Sequence, residues 1–195
     1  DAARSGSHKL PLQTIVKWES LTDIFCIMNI SEQSPWHHHS IGEYRKAVEQ
    51  VGFDGIHMDT YGYPKTGFSR LGGEPKLERL DEQFPALINN TRRELEQSKD
   101  DVCLIFNNVG NWPVDTVGAA AQDAIYVEVW KPYERYHHIR EIIAWAQRHG
   151  GGKPVILAAY LVPFRLETEE NIDKRTYPPC CCLPLFSRMA PIIFC

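Results

Sequence analysis

Asp59 and Glu128 each break into a short apolar run, Ile56-His57-Met58-Asp59 and Ile125-Tyr126-Val127-Glu128-Val129. Both runs alternate as strands do, sending Ile56 and Met58, or Val127 and Val129, to one face. His57 and Asp59, or Tyr126, Glu128 and Trp130, go to the other. A carboxyl among apolar neighbours is costly unless it is hydrogen-bonded or used. Two carboxyls at strand ends suit glycoside hydrolysis, one ionised as nucleophile and the other kept protonated as general acid. Two structural acids, each paired with an arginine or a backbone amide, produce the same pattern, and spacing alone leaves both explanations open. Asn107 and Tyr160 end two further apolar runs. Asn107 is placed to bond a sugar hydroxyl or a catalytic carboxylate, or only to satisfy a strand end. The rings of Tyr126 and Trp130 suit stacking on a sugar ring or packing inside a barrel. His57 and Tyr160 complete the candidate sugar contacts.

The elements that position these residues alternate strand and helix. Residues 24–30 read as a buried strand, followed by a polar loop over 31–35. Ser40-Ile41-Gly42-Glu43 has the form of a capping box, and Ile41, Tyr44, Val48 and Val51 continue at helical spacing to a stop at Gly52. A Gly- and Pro-containing loop over 61–75 separates the strand at 55–59 from a helical stripe of Phe84, Leu87, Ile88, Thr91 and Leu95. Residues 102–106 form the third strand, and the small residues 118–121 suggest a short, closely packed helix. A fourth strand at 125–130, a helix through Tyr136, Ile139, Ile142, Ile143 and Ala146, and a fifth strand at 155–161 follow.

This order predicts parallel βαβ units, in an open doubly wound sheet or a (β/α)8 barrel. The polar residues fall at C-terminal strand ends, where both architectures place chemistry. The first strand-to-helix loop has no glycine-rich fingerprint, which removes support for nucleotide binding and favours the barrel. A complete barrel needs about 250 residues and eight strands. Five strands in 195 residues therefore predict a partial barrel. After residue 170 the pattern stops, and Tyr177-Pro178-Pro179-Cys180-Cys181-Cys182-Leu183-Pro184 fits no sixth unit, which suggests a reading-frame shift near 171–176. The expected organisation is a partial catalytic barrel over 1–168 and an atypical tail over 169–195.

Charge and composition exclude several classes. A net charge of −4 does not suit a polyanion binder, so no nucleic-acid partner is expected. The longest apolar run, 155–164, is little more than half a membrane span. Only Cys26 and Cys103 lie in the body, so it reads as disulfide-free. Metal sites are not expected: Cys180 to Cys182 lack ligand spacing, and the consecutive His37, His38 and His39 do not converge in regular structure. His137 and His138 read as solvated or packed. No cofactor is required. The chain opens at Asp1 without the order of a signal peptide, as a processed or partial chain would.

Four ordered segments, Phe53-Asp54-Gly55-Ile56-His57-Met58-Asp59-Thr60-Tyr61-Gly62, Phe106-Asn107-Asn108-Val109, Tyr126-Val127-Glu128-Val129-Trp130 and Val155-Ile156-Leu157-Ala158-Ala159-Tyr160, resemble glycoside hydrolase family 66. The resemblance runs from about residue 24 to 164, includes Met28-Asn29 and Pro35-Trp36, and departs at Ile56 and Tyr61, where the family tends to carry Trp and an aliphatic residue. It implies a retaining (β/α)8 enzyme, here its third to seventh strands, with Asp59 as nucleophile and Glu128 as acid/base. The implied activity is endo-hydrolysis of α-1,6-glucosidic linkages in dextran. The alternatives are a cycloisomaltooligosaccharide glucanotransferase acting on the same α-1,6-glucan or isomaltooligosaccharides, and an inactive glucan-binding remnant. A polymeric substrate implies a secreted or surface-displayed bacterial protein.

Overall fold

A computed structural model describes residues 15–17, 24–26, 28–60 and 62–160. In chain order the elements are β1 (Ile15–Lys17), β2 (Ile24–Cys26), α1 (Pro35–Lys46), β3 (Gly55–Met58), β4 (Thr66–Ser69), β5 (Lys76–Arg79), α2 (Leu80–Leu95), β6 (Cys103–Val109), α3 (Val114–Val117), β7 (Ala124–Val129), α4 (Tyr136–His149) and β8 (Val155–Ala159).

β3, β6, β7 and β8 form a parallel sheet in that order. Met58, Phe106, Ile125 and Val155 make one row across it, and their side chains turn toward the helices. Met58, Leu104 and Phe106 pack with Ile41 and Val48 and with Phe84, Leu87, Ile88 and Leu95 of α2. Ile125, Val127, Val129 and Leu157 pack with Ile139, Ile142, Ile143 and Ala146 of α4. Each large side chain buried this way contributes about 1.5–3 kcal/mol. Both clusters lie on the same face of the sheet. His57, Asp59, Asn107, Tyr126 and Glu128 alternate with these residues and occupy the opposite face. The mixed α/β character and the parallel pairing agree with the sequence, as do the helical stripes of α2 and α4.

Several expectations are corrected. Residues 24–26 do not extend the parallel sheet; β2 pairs antiparallel with β1. An apolar run carries no information about pairing direction. α1 starts earlier than its capping-box reading: Ser34 Oγ accepts from the Trp36 N–H (3.2 Å) and Pro35 occupies the first turn. His37, His38 and His39 are therefore helical, and Ser40 instead donates to the His37 carbonyl (3.0 Å). Val51 is 66% exposed rather than on the buried stripe. The chain widens to a π-helical turn over Ala47–Val51, which breaks the 3.6-residue phase before Gly52 (φ 86°) ends it. The loop at 61–75 contains most of a hairpin, β4 with β5, whose strands of four residues are too short to read from periodicity. The short helix is α3, one turn before its expected place at 118–121. Gly118 is small because a Cβ there would lie 2.6 Å from the His149 carbonyl oxygen. Tyr61 and the tail over 169–195 lie outside the described residues.

Two glycines separate packing from flexibility. A Cβ on Gly55 would stand 2.2 Å from the Cys103 carbonyl oxygen, so Gly55→Ala must push β3 away from β6. A drop of about 2 kcal/mol or more in unfolding free energy is expected in denaturant melts. Gly42, inside α1, has open space around a Cβ. Gly42→Ala is expected to raise stability by about 0.5–1 kcal/mol in the same measurement.

Candidate active site

The strand that carries Asp59 is fixed at both ends. At its start Lys99 Nζ donates to Asp54 Oδ1 (2.6 Å), and the Cys103 N–H donates to the Asp54 carbonyl (2.9 Å). The lysine holds the Asp54 carboxyl below its ordinary range. Gly55 lets β3 lie directly against β6. Past Asp59, Thr60 Oγ1 donates to the Asn107 carbonyl (3.1 Å). Gly62 takes a left-handed φ of 67°, with a Cβ there only 2.8 Å from Val109 Cβ. The Asp54, Gly55 and Gly62 positions of the first motif are thus explained by the approach of this segment to β6. Thr60 escaped the sequence reading, although it adjoins Asp59 in the same motif.

From β6, Asn107 is 3% exposed and reaches both acids. Its Nδ2 donates to Asp59 Oδ1 (2.7 Å) and to Glu128 Oε2 (3.0 Å). Bonds of 2.7 and 3.0 Å to one nitrogen keep these two oxygens within about 5.7 Å of each other. Asn107 Oδ1 is buried without a hydrogen-bond partner among the described residues. Three residues, 48 and 21 positions apart, therefore meet at one nitrogen. Of the sequence alternatives for Asn107, the structure shows the carboxylate contact.

The other predicted residues arrange around this centre. His57 lies edge-on to Tyr126, with ring centroids 4.6 Å apart. Trp130 and Tyr160 stack on each other at 4.5 Å and 14°, just past the ends of β7 and β8, where the Tyr160 N–H donates to the Val129 carbonyl. The hairpin that follows β3 is anchored by Asn29, whose Nδ2 donates to Ser69 Oγ (2.5 Å) and Glu78 Oε2 (3.2 Å). Phe68 and Leu77 pair across this hairpin and are exposed.

Two histidine groups invite a metal reading. His37 is fully buried with Nδ1 at 2.8 Å from the Ile30 carbonyl and Nε2 at 3.0 Å from Asn90 Nδ2. Both its nitrogens are engaged, which makes it a core histidine. His137, His138 and Glu141 bring one ligand-type atom each within 4.8 Å of the others. His138 Nδ1, however, accepts the Arg135 N–H (3.1 Å) at the start of α4, which places the ring proton on Nε2. Ligation through either nitrogen would give up that cap or that proton.

His57 reports on the charge of the pair. Partial burial pushes its pKa below the ordinary 6.5, while Asp59 and then Glu128 pull it back up. The unfolded chain therefore takes up this proton before the folded one does. The ring's contribution to stability is full above about 6.5 and falls as pH drops below that value. A histidine-selective NMR titration, assigned with His57→Gln, is expected to put the His57 midpoint below 6.5. Asp59→Asn removes the anion next to the ring and should lower the midpoint further; an unchanged midpoint would separate the ring from that acid.

The solved structure of a Paenibacillus sp. cycloisomaltooligosaccharide glucanotransferase, complexed with cycloisomaltoheptaose, shares the fold with a TM-score of 0.63 at 24% identity, over 76% of this chain and 21% of that one. Two cycloisomaltooligosaccharide glucanotransferases of Niallia circulans are 25% identical over 140 residues and 26% over 125, covering 70% and 61% of this chain. The chain spans only 14% and 13% of those relatives. Residues 3–171 match the model of glycosyl hydrolase family 66, and the chain belongs to that family.

Proposed function

We propose that this chain carries the catalytic pair of a retaining enzyme that cleaves α-1,6-linked glucan, with Asp59 as nucleophile and Glu128 as acid/base. The observation that carries the reading is the single Asn107 amide donating to both carboxyls. Because both bonds reach one nitrogen, the two acceptor oxygens lie within about 5.7 Å of each other, which suits the ~5–5.5 Å spacing of retaining glycosidases better than the ~6.5–9.5 Å that leaves room for a water in inverting ones. The sheet supports a barrel segment, because its strands follow chain order and the described clusters cover one face only. A doubly wound sheet would reverse its strand order and carry helices on both faces. In this reading residues 1–168 are part of a catalytic (β/α)8 barrel and 169–195 an atypical tail.

The chemistry runs in two displacements. Protonated Glu128 gives its proton to the glycosidic oxygen as that oxygen leaves, and an Asp59 carboxylate oxygen bonds the anomeric carbon from the opposite side. The α-linked substrate becomes a β-glucosyl ester of Asp59. Glu128, now ionised, takes a proton from the incoming hydroxyl, whose oxygen displaces Asp59 and restores the α configuration. His57 and Tyr126, edge to face beside the acids, are the nearest candidate sugar contacts, with the Trp130–Tyr160 stack farther out beyond the strand ends.

The incoming hydroxyl decides the product. Water gives a dextranase; the free end of the same glucan gives a cyclic isomaltooligosaccharide, which the names of the matched relatives favour. Dextran and isomaltooligosaccharides are the proposed substrates, and a polymer outside the cell implies secretion or surface display. Among the described residues no helix is long and apolar enough to cross a membrane.

The test uses the full-length gene product that carries this segment. Dextran is expected to be cleaved with retention, seen by NMR of the newly formed anomeric centre. Asp59→Asn and Glu128→Gln should each lower kcat by about 10³-fold or more. Chromatography of the products separates linear from cyclic sugars. A folded parent that binds dextran without cleaving it would support the inactive remnant, and activity that survives both substitutions would make the acids structural.

A further inference from the structure

We propose that Asn107 is the positioning residue of this pair: its one amide nitrogen sets the distance between the two carboxyls and selects which oxygen of each does the chemistry. The inference rests on the assignment of Asp59 and Glu128 made above.

The geometry narrows the possibilities. Asn107 is nearly fully buried in the central strand between the two acids, and its carbonyl is tied to the β3 end by Thr60. The ionised Asp59 can only accept, so a rotated amide would aim Oδ1 at an acceptor oxygen and lose that bond; the donor requirement of Asp59 decides the orientation. Residue type is constrained too. Arginine or lysine between the acids would favour the ionised form of both, whereas a general acid must hold its proton. Aspartate would add a third negative charge. A neutral side chain with two donors on one atom holds both carboxyls and favours their ionised forms less than a cation would.

This has a consequence for each oxygen. Asp59 Oδ1 and Glu128 Oε2 accept from Asn107. Asp59 Oδ2 is then the oxygen that bonds the anomeric carbon, and Glu128 Oε1 the one that gives up the proton. During the first displacement the negative charge leaves Asp59 as its ester forms and arrives on Glu128 as its proton departs. The pair carries one negative charge before and after, and the same amide donates to whichever acid holds it. Hydrogen bonds to a charged acceptor are about twice as strong as neutral ones, so the bond to Glu128 strengthens as that to Asp59 weakens.

Among the described residues, the titratable side chains facing Asn107 are Asp59 and His57 from the β3 side and Glu128 and Tyr126 from β7. The test measures kcat, KM and the pH profile of dextran cleavage by the full-length gene product, for Asn107→Ala and the near-isosteric Asn107→Asp, with Asp59→Asn and Glu128→Gln alongside. For Asn107→Ala, kcat should fall by about 10²-fold while KM changes less than about threefold. Loss of the donor disfavours the ionised form of each acid, so both limbs of the kcat/KM profile should move to higher pH by about half a unit or more. Asn107→Asp should move them further in the same direction, and it carries the test if the alanine variant does not fold. Limbs that stay in place while Asp59→Asn and Glu128→Gln are inactive would overturn the positioning role and leave the pair standing. Activity retained in Asp59→Asn and Glu128→Gln would overturn both.

Discussion

The register of β6 against its two neighbours governs everything else in this molecule. Met58 pairs with Phe106, and Asn107 with Tyr126. Because side chains alternate at every residue, a slip of one position in β6 would turn Asn107 toward the helices and bring Phe106 or Asn108 to the opposite face. The apolar rows against α2 and α4 and the polar centre would fail together. Asn108 adds to the lock, since its fully buried amide donates to the Phe106 and Tyr126 carbonyls at 3.1 and 2.8 Å and so bridges β6 and β7 from the helix side.

That register depends on close backbone contact between β3 and β6. Gly55 permits it, the Lys99–Asp54 pair and the Cys103 amide hold its beginning, and Thr60 holds its end. The exposed ion pair contributes little by itself, being solvent-screened on the aspartate side. The hydrogen bonds at the two ends matter more for placement than for stability, because they determine where along β6 the Asp59 carboxyl arrives. A difference of one residue, about 3.3 Å, would exceed the length of the bond it makes to Asn107.

The electrostatics of the centre follow from a choice of neutrality. Two carboxyls close together on a partly covered sheet face repel when both are ionised. The fold answers with an amide rather than a cation, and with an imidazole whose partial burial resists charging. A strong cation here would neutralise the pair permanently. Neutral surroundings suit the proposed acid/base work on a glycosidic bond, which needs one acid ionised and the other protonated.

Much of this was legible in the residue order. Alternation around Asp59 and Glu128 assigned their common face, the stripe from Phe84 to Leu95 predicted the helix buried there, and the strand-helix order predicted parallel pairing. The signals that misled were local ones with two meanings: Ser40 with Glu43 imitates a helix start, although Ser34 with Pro35 makes the real one. The hairpin's short strands carry too few residues for a period to show, and Asn29, some forty positions away from Ser69, anchors them. The sequence by itself determined which residue types face which side, since alternation and helical periodicity are properties of neighbouring positions. Only the tertiary structure decided that Asp59 and Glu128 meet at one nitrogen of Asn107, because hydrogen-bond distance between residues 48 and 21 positions apart is a property of packing and register.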